Sequence, residues 1–161
     1  MLSAFNQSND SRCDIEITGV HLYCAWRFCA SSNFSFHSGP AGSSLYNYIE
    51  NGELKGEGNS ITEGIGSSRV TANFAEAKID GAFSIEDKET LPILYDLIQN
   101  EGLSLGTSCG VNIAGAIRLG KKLGPGKTIV TILCDRSDKY NSKLFNKKFL
   151  QEKGLPFPSW I

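Results

Sequence analysis

The sequence predicts an α/β fold, and three observations support this prediction. Helix-like and strand-like segments alternate along the chain from Pro40 onward. A continuous run of mostly β-branched residues, TIVTILC, occupies Thr128–Cys134, and a strand that is apolar on both faces is typical of the middle of a parallel sheet. The segment Gly106–Gly110 joins a short strand pattern to a helical pattern, as loops do in β–α units.

Length and composition indicate a single globular domain. The chain has 161 residues, 40% of them hydrophobic, and a formal net charge of −1. This charge balance disfavours a nucleic-acid partner, and no apolar run approaches the roughly 20 residues that cross a membrane. The polar N-terminal residues show no targeting pattern, so the default expectation is a cytoplasmic protein. The five cysteines, an odd number, are expected to be reduced thiols.

The first half of the α/β region holds two predicted helices and one predicted strand. A short helix is expected over Gly42–Asn51, and the glycine-rich segment Glu57–Ser68 is expected to form a loop. Ala82–Ile85 suggests a short strand. A helix over Glu86–Asn100 follows, with Ser84 as its predicted cap. The apolar side chains predicted to face inward from this helix are Leu91, Leu94, Tyr95, Leu97 and Ile98.

The second half of the region repeats the alternation. Leu103–Leu105 is a predicted short strand, and a helix is expected over Val111–Leu123, closed by Gly124–Gly126. The strand Thr128–Cys134 comes next, and a last helix is predicted over Ser142–Lys153.

The chain changes character near residue 38. Residues 1–38 contain three of the five cysteines, both histidines and a Ser/Asn-rich run, but show little periodicity. We therefore divide the chain into an atypical N-terminal segment, 1–38, and an α/β part, 39–161.

Two glycine-containing segments are candidate ligand-binding sites. Gly106–Gly110 stands where a strand is expected to turn into a helix, and its hydroxyls and the free N–H groups of the helix could bind a ligand. The same pattern also suits a simple helix N-cap. Glu63-Gly64-Ile65-Gly66 could pass its backbone over a flat ligand or merely form a turn.

Two other features of the sequence predict neither metal binding nor catalysis. One is a set of potential metal ligands whose spacing matches no standard zinc motif, so no metal site is predicted. Its members are His21, Cys24, Cys29 and His37. The other is Cys109, at a predicted helix N-terminus, where a lowered pKa is expected. Because no histidine follows residue 37 to act as a base, nucleophilic cysteine catalysis is disfavoured.

Three segments together resemble the C-terminal part of the cysteine synthase (O-acetylserine sulfhydrylase) family, whose fold is shared with cystathionine β-synthase. They are SLYNYIENGELKGEGNSITEGIGSSRVTANF, EGLSLGTSCGVNIAGAIRLGKKLGPGKTIVTILCD and SKLFNKKFLQEKGLPFPSWI. The resemblance covers about residues 40–161. It implies a partial three-layer parallel-sheet domain of the fold-type II (tryptophan synthase β-like) pyridoxal-phosphate enzymes.

The resemblance also implies roles for residues in both glycine segments. Ser108 matches the serine that hydrogen-bonds the pyridine nitrogen of pyridoxal 5'-phosphate, and Gly64 and Gly66 match the family's Gly-Ile-Gly loop beside the cofactor. Thr107 and Gly106 are neighbours of the cofactor by position. A hydroxyl at the pyridine nitrogen makes the ring a weaker electron sink than a carboxylate would, which favours elimination chemistry.

The expected catalytic lysine is missing from this pattern. The family's Schiff-base lysine, phosphate loop and substrate-carboxylate loop lie upstream of the matched region, and none of the eleven lysines here occupies such a position. The segment Arg136–Tyr140 also departs from the family's usual Ser-Gly-Asp-Arg-Tyr. No catalytic residue is therefore assigned.

Three interpretations of the chain follow. The first is the C-terminal portion of a usually homodimeric enzyme that makes L-cysteine from O-acetylserine and sulfide by β-replacement; the lone chain is then expected to be inactive. The second substrate could also be a thiol or homocysteine. An alternative is a non-catalytic interaction protein that docks on a full-length paralogue. The third is a truncated or wrongly joined gene, with residues 1–38 derived from another exon or frame.

Overall fold

A computed structural model describes residues 44–56, 60–63 and 69–161 and the backbone of two strands nearer the N-terminus. In chain order the elements are β1 (Asp14–Thr18), β2 (Phe34–Ser38), α1 (Ser44–Asn51), α2 (Ala72–Ala75), β3 (Gly81–Ile85), α3 (Asp87–Glu101), α4 (Thr107–Leu123), β4 (Thr128–Ile132), a 3-10 helix (Ser137–Tyr140), α5 (Asn141–Leu144) and α6 (Lys147–Glu152). This mixture of helices and parallel strands confirms the predicted α/β class. Among the described helices, none has the length and hydropathy to cross a bilayer.

The described strands form two parallel pairs. β1 pairs with β4, and β2 pairs with β3. The parallel pairing predicted for the TIVTILC strand is confirmed. The prediction that this strand is buried on both faces is wrong for the described part of the chain. Ile129 and Thr131 are buried, whereas Val130 between them is 40% exposed. The side chains of a strand alternate between the two faces of its sheet, so only one face of β4 is covered here.

The main hydrophobic core lies between α3, α4 and the C-terminal helices. The predicted inward face of α3 is confirmed for Leu91, Leu94, Tyr95 and Leu97, which are buried, whereas Ile98 is only half-buried. The buried side chains pack in one cluster with residues of the later elements, namely Leu105, Cys109, Ile113, Tyr140, Leu144 and Leu150. Both long helices end at a glycine, and Gly102 has φ +67, a left-handed conformation that other residues seldom adopt.

Several predicted boundaries were wrong. Ser84 does not cap α3, because the N-cap is Glu86 and Ser84 is the fourth residue of β3. Leu103–Leu105 forms only an isolated antiparallel bridge between Leu105 and Arg136. The predicted last helix, 142–153, is two short helices that are separated at Phe145–Asn146. Asn146 interrupts the helix by accepting a hydrogen bond from the Phe149 N–H, which is an N-cap interaction.

An arginine joins three elements beside the core. Arg118 on α4 donates through Nε to Glu89 on α3 at 2.9 Å and through Nη1 to the Ser84 carbonyl of β3 at 2.8 Å. A second hydrogen bond to the Glu89 carboxylate makes the pair bidentate. This cluster fixes α3 and α4 against β3, and α4 begins at the candidate site.

Candidate functional site

The candidate site is the first turn of α4. Gly106 is the N-cap, and Thr107, Ser108, Cys109 and Gly110 are already helical and buried. The prediction that Gly106–Gly110 is a loop before a helix that begins at Val111 is therefore wrong. The helix starts four residues earlier, so the predicted ligand groups belong to a helix N-terminus, where backbone N–H groups lack intrahelical acceptors.

The segment before α4 runs beside the end of β4. The Gly106 N–H donates to the Asp135 carbonyl at 3.0 Å, and the Ser137 N–H donates to the Ser104 carbonyl at 3.3 Å. The side chains of Ser104 and Ser137 are also hydrogen-bonded to each other. These contacts place the N-terminus of α4 at the carboxyl end of a parallel strand, the usual location of ligand sites in α/β sheets.

Gly106 is required for this close approach. A Cβ atom at this position would lie 2.0 Å from Asp135 Oδ1 and 2.8 Å from Tyr140 Cε2. Its φ of −72° and ψ of 166° are open to any residue, so the requirement is steric and not conformational.

Two polar atoms at this junction lack hydrogen-bond partners among the described residues. They are the hydroxyl oxygen of Thr107 and Oδ1 of Asp135, and both are buried. Thr107 is only 1% exposed. A buried polar atom without a partner is rare in proteins and often marks a place that a ligand or water completes. The residues present therefore fit a polar ligand at the start of α4.

Ser108 shares this region with a thiol. Its side chain lies near Cys134, just beyond β4, and lowers the pKa of that thiol; Ser108 is 6% exposed. The Cys134 sulfur also accepts a hydrogen bond from Asn112 Nδ2 at 3.5 Å. The pKa of Cys134 is lowered to about 6, chiefly by the neighbouring Cys109 thiol and further by Ser108 and Asn112, whereas burial and the nearby Asp135 oppose this effect.

The expected low pKa of Cys109 is wrong. Its pKa is raised, first by its interaction with the neighbouring Cys134 thiol and then by burial, and its one thiol proton is donated to the Asp135 carbonyl at 3.2 Å. The helix N-terminus does favour an anion. Here the thiol is a hydrogen-bond donor in the core, so the neighbouring cysteine carries the anionic tendency.

Asp135 and Tyr140 close the other side of Gly106. The Tyr140 hydroxyl donates to Asp135 Oδ2 at 2.7 Å, and Lys139 Nζ lies 3.7 Å from the same oxygen. Burial is the main cause that raises the pKa of Tyr140, and its bond to the Asp135 carboxylate raises it further. The segment that departs from the family pattern, Arg136–Tyr140, thus supplies a direct partner for the carboxylate.

The second glycine segment is described only at its stem. Gly64 and Gly66 lie outside the described residues, but residues 60–62, shortly before them, are held by Asp87 in the first turn of α3. Asp87 accepts from the Ile61 N–H at 2.8 Å, from the Ser60 hydroxyl at 2.6 Å and from the Thr62 hydroxyl at 3.2 Å.

A lysine and an apolar contact connect this stem to the rest of the site. Lys143 donates to the Ile61 carbonyl at 3.3 Å and pairs with Glu63. Ile61 itself packs in the core cluster that contains Cys109 and Tyr140. The stem of the Gly64 segment is therefore fixed beside the start of α4, which was not derivable from sequence spacing.

Metal binding receives no support within the described ranges, where no cluster of three candidate ligands occurs. The side chains of the set considered from sequence lie outside the described residues. Sequence analysis missed Asp87, Asn112, Asp135 and Tyr140 as parts of the site. Of these, only Asp87 could have been found from the sequence. An acid in the first turn of a helix marks the helix N-terminus, and its carboxylate can accept hydrogen bonds from other backbone groups there.

A parallel α/β unit with buried polar groups at a strand–helix junction defines a class of small-molecule-binding domains. Comparison with known proteins specifies the class. Residues 38–135 match the family described as "Pyridoxal-phosphate dependent enzyme". The chain belongs to this family.

Individual relatives agree. The chain is 42% identical to cysteine synthase 1 of Emericella nidulans over 125 residues, which are 75% of this chain and 34% of the relative. It is 38% identical to cysteine synthase of Dictyostelium discoideum, with 72% and 33% of the two chains covered. The crystal structure of O-acetylserine dependent cystathionine beta-synthase from Helicobacter pylori superposes with a TM-score of 0.58 at 28% identity, covering 70% of this chain and 34% of that one. The chain therefore spans about one third of the length of these proteins.

Proposed function

We propose that this chain supplies the pyridine side of the cofactor site of a cysteine synthase-like enzyme. The observation that carries the proposal is the buried first turn of α4, where the Thr107 hydroxyl has no partner among the described residues and Ser108 lies beside it. The family membership supports pyridoxal phosphate as the group that completes this site.

Each residue of the turn has a distinct task in this proposal. The Ser108 hydroxyl donates a hydrogen bond to the pyridine nitrogen and orients the ring, while the free N–H groups of α4 make its N-terminus electropositive. Gly106 keeps this N-terminus against the end of β4. When bound, pyridoxal phosphate supplies the electron sink for replacement at the β-carbon of an amino acid.

The proposed substrates are O-acetylserine and sulfide, by analogy with the cysteine synthases that the chain resembles. A thiol or homocysteine in place of sulfide remains an alternative second substrate. The homodimeric state of the family is carried over as part of the same proposal. The cytoplasmic location expected from the sequence remains a proposal as well.

A binding titration tests the role of Ser108. We expect Ser108→Ala to weaken pyridoxal-phosphate binding about five- to tenfold, since a lost hydrogen bond corresponds to roughly 1 kcal/mol. Ser104→Ala is the matched control, because this serine pairs with Ser137 outside the turn. Fluorescence or absorbance of the cofactor gives the affinity. Equal weakening in both variants would show that the effect is structural and would refute the assignment.

The chain alone is proposed to lack β-replacement activity. No lysine occurs in residues 1–38, and the eleven lysines of the chain all lie in the part that resembles the family's C-terminal region. Incubation with pyridoxal phosphate, borohydride reduction and peptide mass spectrometry should give only scattered, substoichiometric lysine labelling. Stoichiometric labelling of one lysine, together with cysteine formation, would contradict this part of the proposal.

A further inference from the structure

Asp135 lies against the first turn of α4. Its carbonyl accepts hydrogen bonds from the Gly106 N–H at 3.0 Å and from the Cys109 thiol at 3.2 Å, so its backbone is fixed to the start of the helix. Its side chain is 14% exposed. The carboxylate is therefore held in the same junction as the donors of the proposed cofactor site, and its orientation decides which of them it reaches.

The first turn of α4 has no side-chain cap. Gly106 is the N-cap, and it has no side chain that could accept from the second or third N–H of the helix. Asp135 Oδ1 lies 2.0 Å from the point where a Cβ on Gly106 would stand. The side-chain oxygen of a capping serine or aspartate lies at a similar separation from its own Cβ. A carboxylate oxygen from the end of β4 thus lies near the place of the missing cap.

Tyr140 holds this carboxylate in a different hydrogen bond. Its hydroxyl donates to Asp135 Oδ2 at 2.7 Å, whereas Lys139 Nζ, on a side chain that is 64% exposed, lies 3.7 Å from the same atom. Oδ1 and the Thr107 hydroxyl are both buried, and neither has a partner among the described residues. Because buried polar atoms without partners are unfavourable, the carboxylate needs a contact that keeps it in this orientation, and the buried Tyr140 hydroxyl is the stronger of the two.

We propose that Tyr140 is a positioning residue that holds the Asp135 carboxylate away from the donors of the first turn of α4. This inference rests on the proposed function, in which the Ser108 hydroxyl donates to the pyridine nitrogen of the cofactor. A carboxylate accepts hydrogen bonds more strongly than a neutral acceptor does. A released Asp135 side chain would therefore take the hydroxyl and N–H of Ser108 and compete with the ring for them.

Amide hydrogen exchange in the full chain without cofactor tests this proposal. Tyr140→Phe removes the hydroxyl and keeps the ring. We expect the released Asp135 carboxylate to accept from the Ser108 N–H and to slow its exchange about three- to tenfold, as a helix cap does. The double variant Tyr140→Phe with Asp135→Ala should lose this protection. Loosened packing would speed the exchange instead, so unchanged or faster exchange at Ser108 in folded Tyr140→Phe would overturn the proposal.

A pyridoxal-phosphate titration gives the second readout. We expect Tyr140→Phe to bind the cofactor about five- to tenfold more weakly, because one hydrogen-bond acceptor now competes for the Ser108 donors. Removing the competitor in the double variant should restore the affinity to that of Asp135→Ala alone. Structural damage would instead deepen with the second truncation. A double variant that binds no better than Tyr140→Phe would refute the competition.

Tyr95→Phe is the matched control. Its hydroxyl also donates at 2.7 Å, but to the Leu144 carbonyl, and its ring belongs to the same core cluster as that of Tyr140. Because this substitution frees no carboxylate, it should leave both the Ser108 exchange and the cofactor affinity unchanged. Circular dichroism establishes that each variant is folded. Equal effects of the two tyrosine substitutions would show that loss of any buried hydroxyl suffices, and would contradict the positioning role.

Asp135→Ala alone provides a measurement that does not depend on Tyr140→Phe. Since Asp135 Oδ1 has no partner in the described structure, exchange at Ser108 should be unaltered in this variant. Faster exchange would show that the carboxylate already caps the helix, and the proposal would be wrong. The Ser108→Ala titration separates this inference from the proposed function. If that variant binds the cofactor as wild type does, the cofactor assignment fails, while the exchange data still decide what Tyr140 does.

Discussion

Gly106 sets the separation between α4 and the end of β4. Its missing side chain leaves the space that the Asp135 carboxylate and the Tyr140 ring occupy. Gly106→Ala should therefore destabilise the native chain by about 1–3 kcal/mol, as overpacking of a tight contact does. Urea unfolding followed by circular dichroism measures the change. A variant as stable as wild type would show that α4 and the end of β4 can move apart at little energetic cost.

A double-mutant cycle separates this contact from other effects of the substitution. Asp135→Ala removes the nearest atom, Oδ1, which would lie 2.0 Å from the added Cβ. The destabilisation by Gly106→Ala should then be smaller in the Asp135→Ala background, with a coupling above about 0.5 kcal/mol. Additive effects would locate the strain elsewhere, for instance at Tyr140.

At the scale of single residues, the sequence predicted where the site residues lie but not which thiol has the lowered pKa. The sequence places Gly106, Thr107 and Ser108 between a short strand and a helix; the structure has them at the start of α4, but the predicted strand before them is only an isolated bridge. It assigned the lowered pKa to Cys109, but the pKa that is lowered is that of Cys134. The ionisation of a thiol depends on donors from other elements, and the contact between residues 109 and 134 cannot be obtained from local pattern.

At the scale of elements, Asp87 connects α3 to the stem of the Gly64 segment. It accepts hydrogen bonds from Ser60, Ile61 and Thr62, and these residues immediately precede the segment. Asp87→Ala should lower stability by about 1–3 kcal/mol and speed amide hydrogen exchange at Ile61, since a buried N–H loses its acceptor.

Asp96→Ala on the same helix is the matched control. Asp96 is exposed, and its carboxylate accepts from Asn100 one turn later. We expect a change within about 0.5 kcal/mol and no effect on exchange at Ile61, because such surface pairs contribute little. Unchanged exchange at Ile61 in Asp87→Ala would mean that the stem is held by Lys143 alone.

Elements with strong periodicity were the most predictable. α3 was placed to within one residue at each end because its apolar residues recur with helical spacing. The start of α4 was placed four residues late, since the glycine, threonine and serine there favour a loop by propensity alone. Burial by α3 overrides that preference, as Gly110 packs against Leu94 and Thr90.

At the scale of the whole chain, the sequence predicted the class of fold but not how the parts meet. The parallel strand and the two long helices follow from local pattern. The assembly of α3, α4 and the C-terminal helices around one core depends on contacts between distant residues, such as Tyr95 with Leu144. Such non-local contacts leave no periodic signal in a single sequence.

Tyr95 provides the last prediction, because it joins α3 to the C-terminal part of the chain. Its hydroxyl donates to the Leu144 carbonyl at 2.7 Å, and its ring meets Trp160 edge-on with the ring centroids 5.8 Å apart. Burial raises the pKa of Tyr95 from 10.0 to about 12. The native state therefore holds the phenolic proton more tightly than the unfolded chain does.

The sign of the pH dependence follows from this difference. The stabilisation is fully present below pH 10 and is lost as the pH rises from 10 toward 12, because the unfolded chain releases the proton first. The pKa of Tyr140 is also raised and acts in the same direction. Thermal melts at pH 8 to 11.5 should show a steep alkaline fall in Tm. Tyr95→Phe should have a lower Tm at pH 8, because it loses the hydrogen bond to Leu144. Its Tm should fall less steeply at alkaline pH, since Tyr95 accounts for about 1–3 kcal/mol of the stability that the wild type loses there. Parallel curves for wild type and Tyr95→Phe would show that this phenol ionises equally readily in both states.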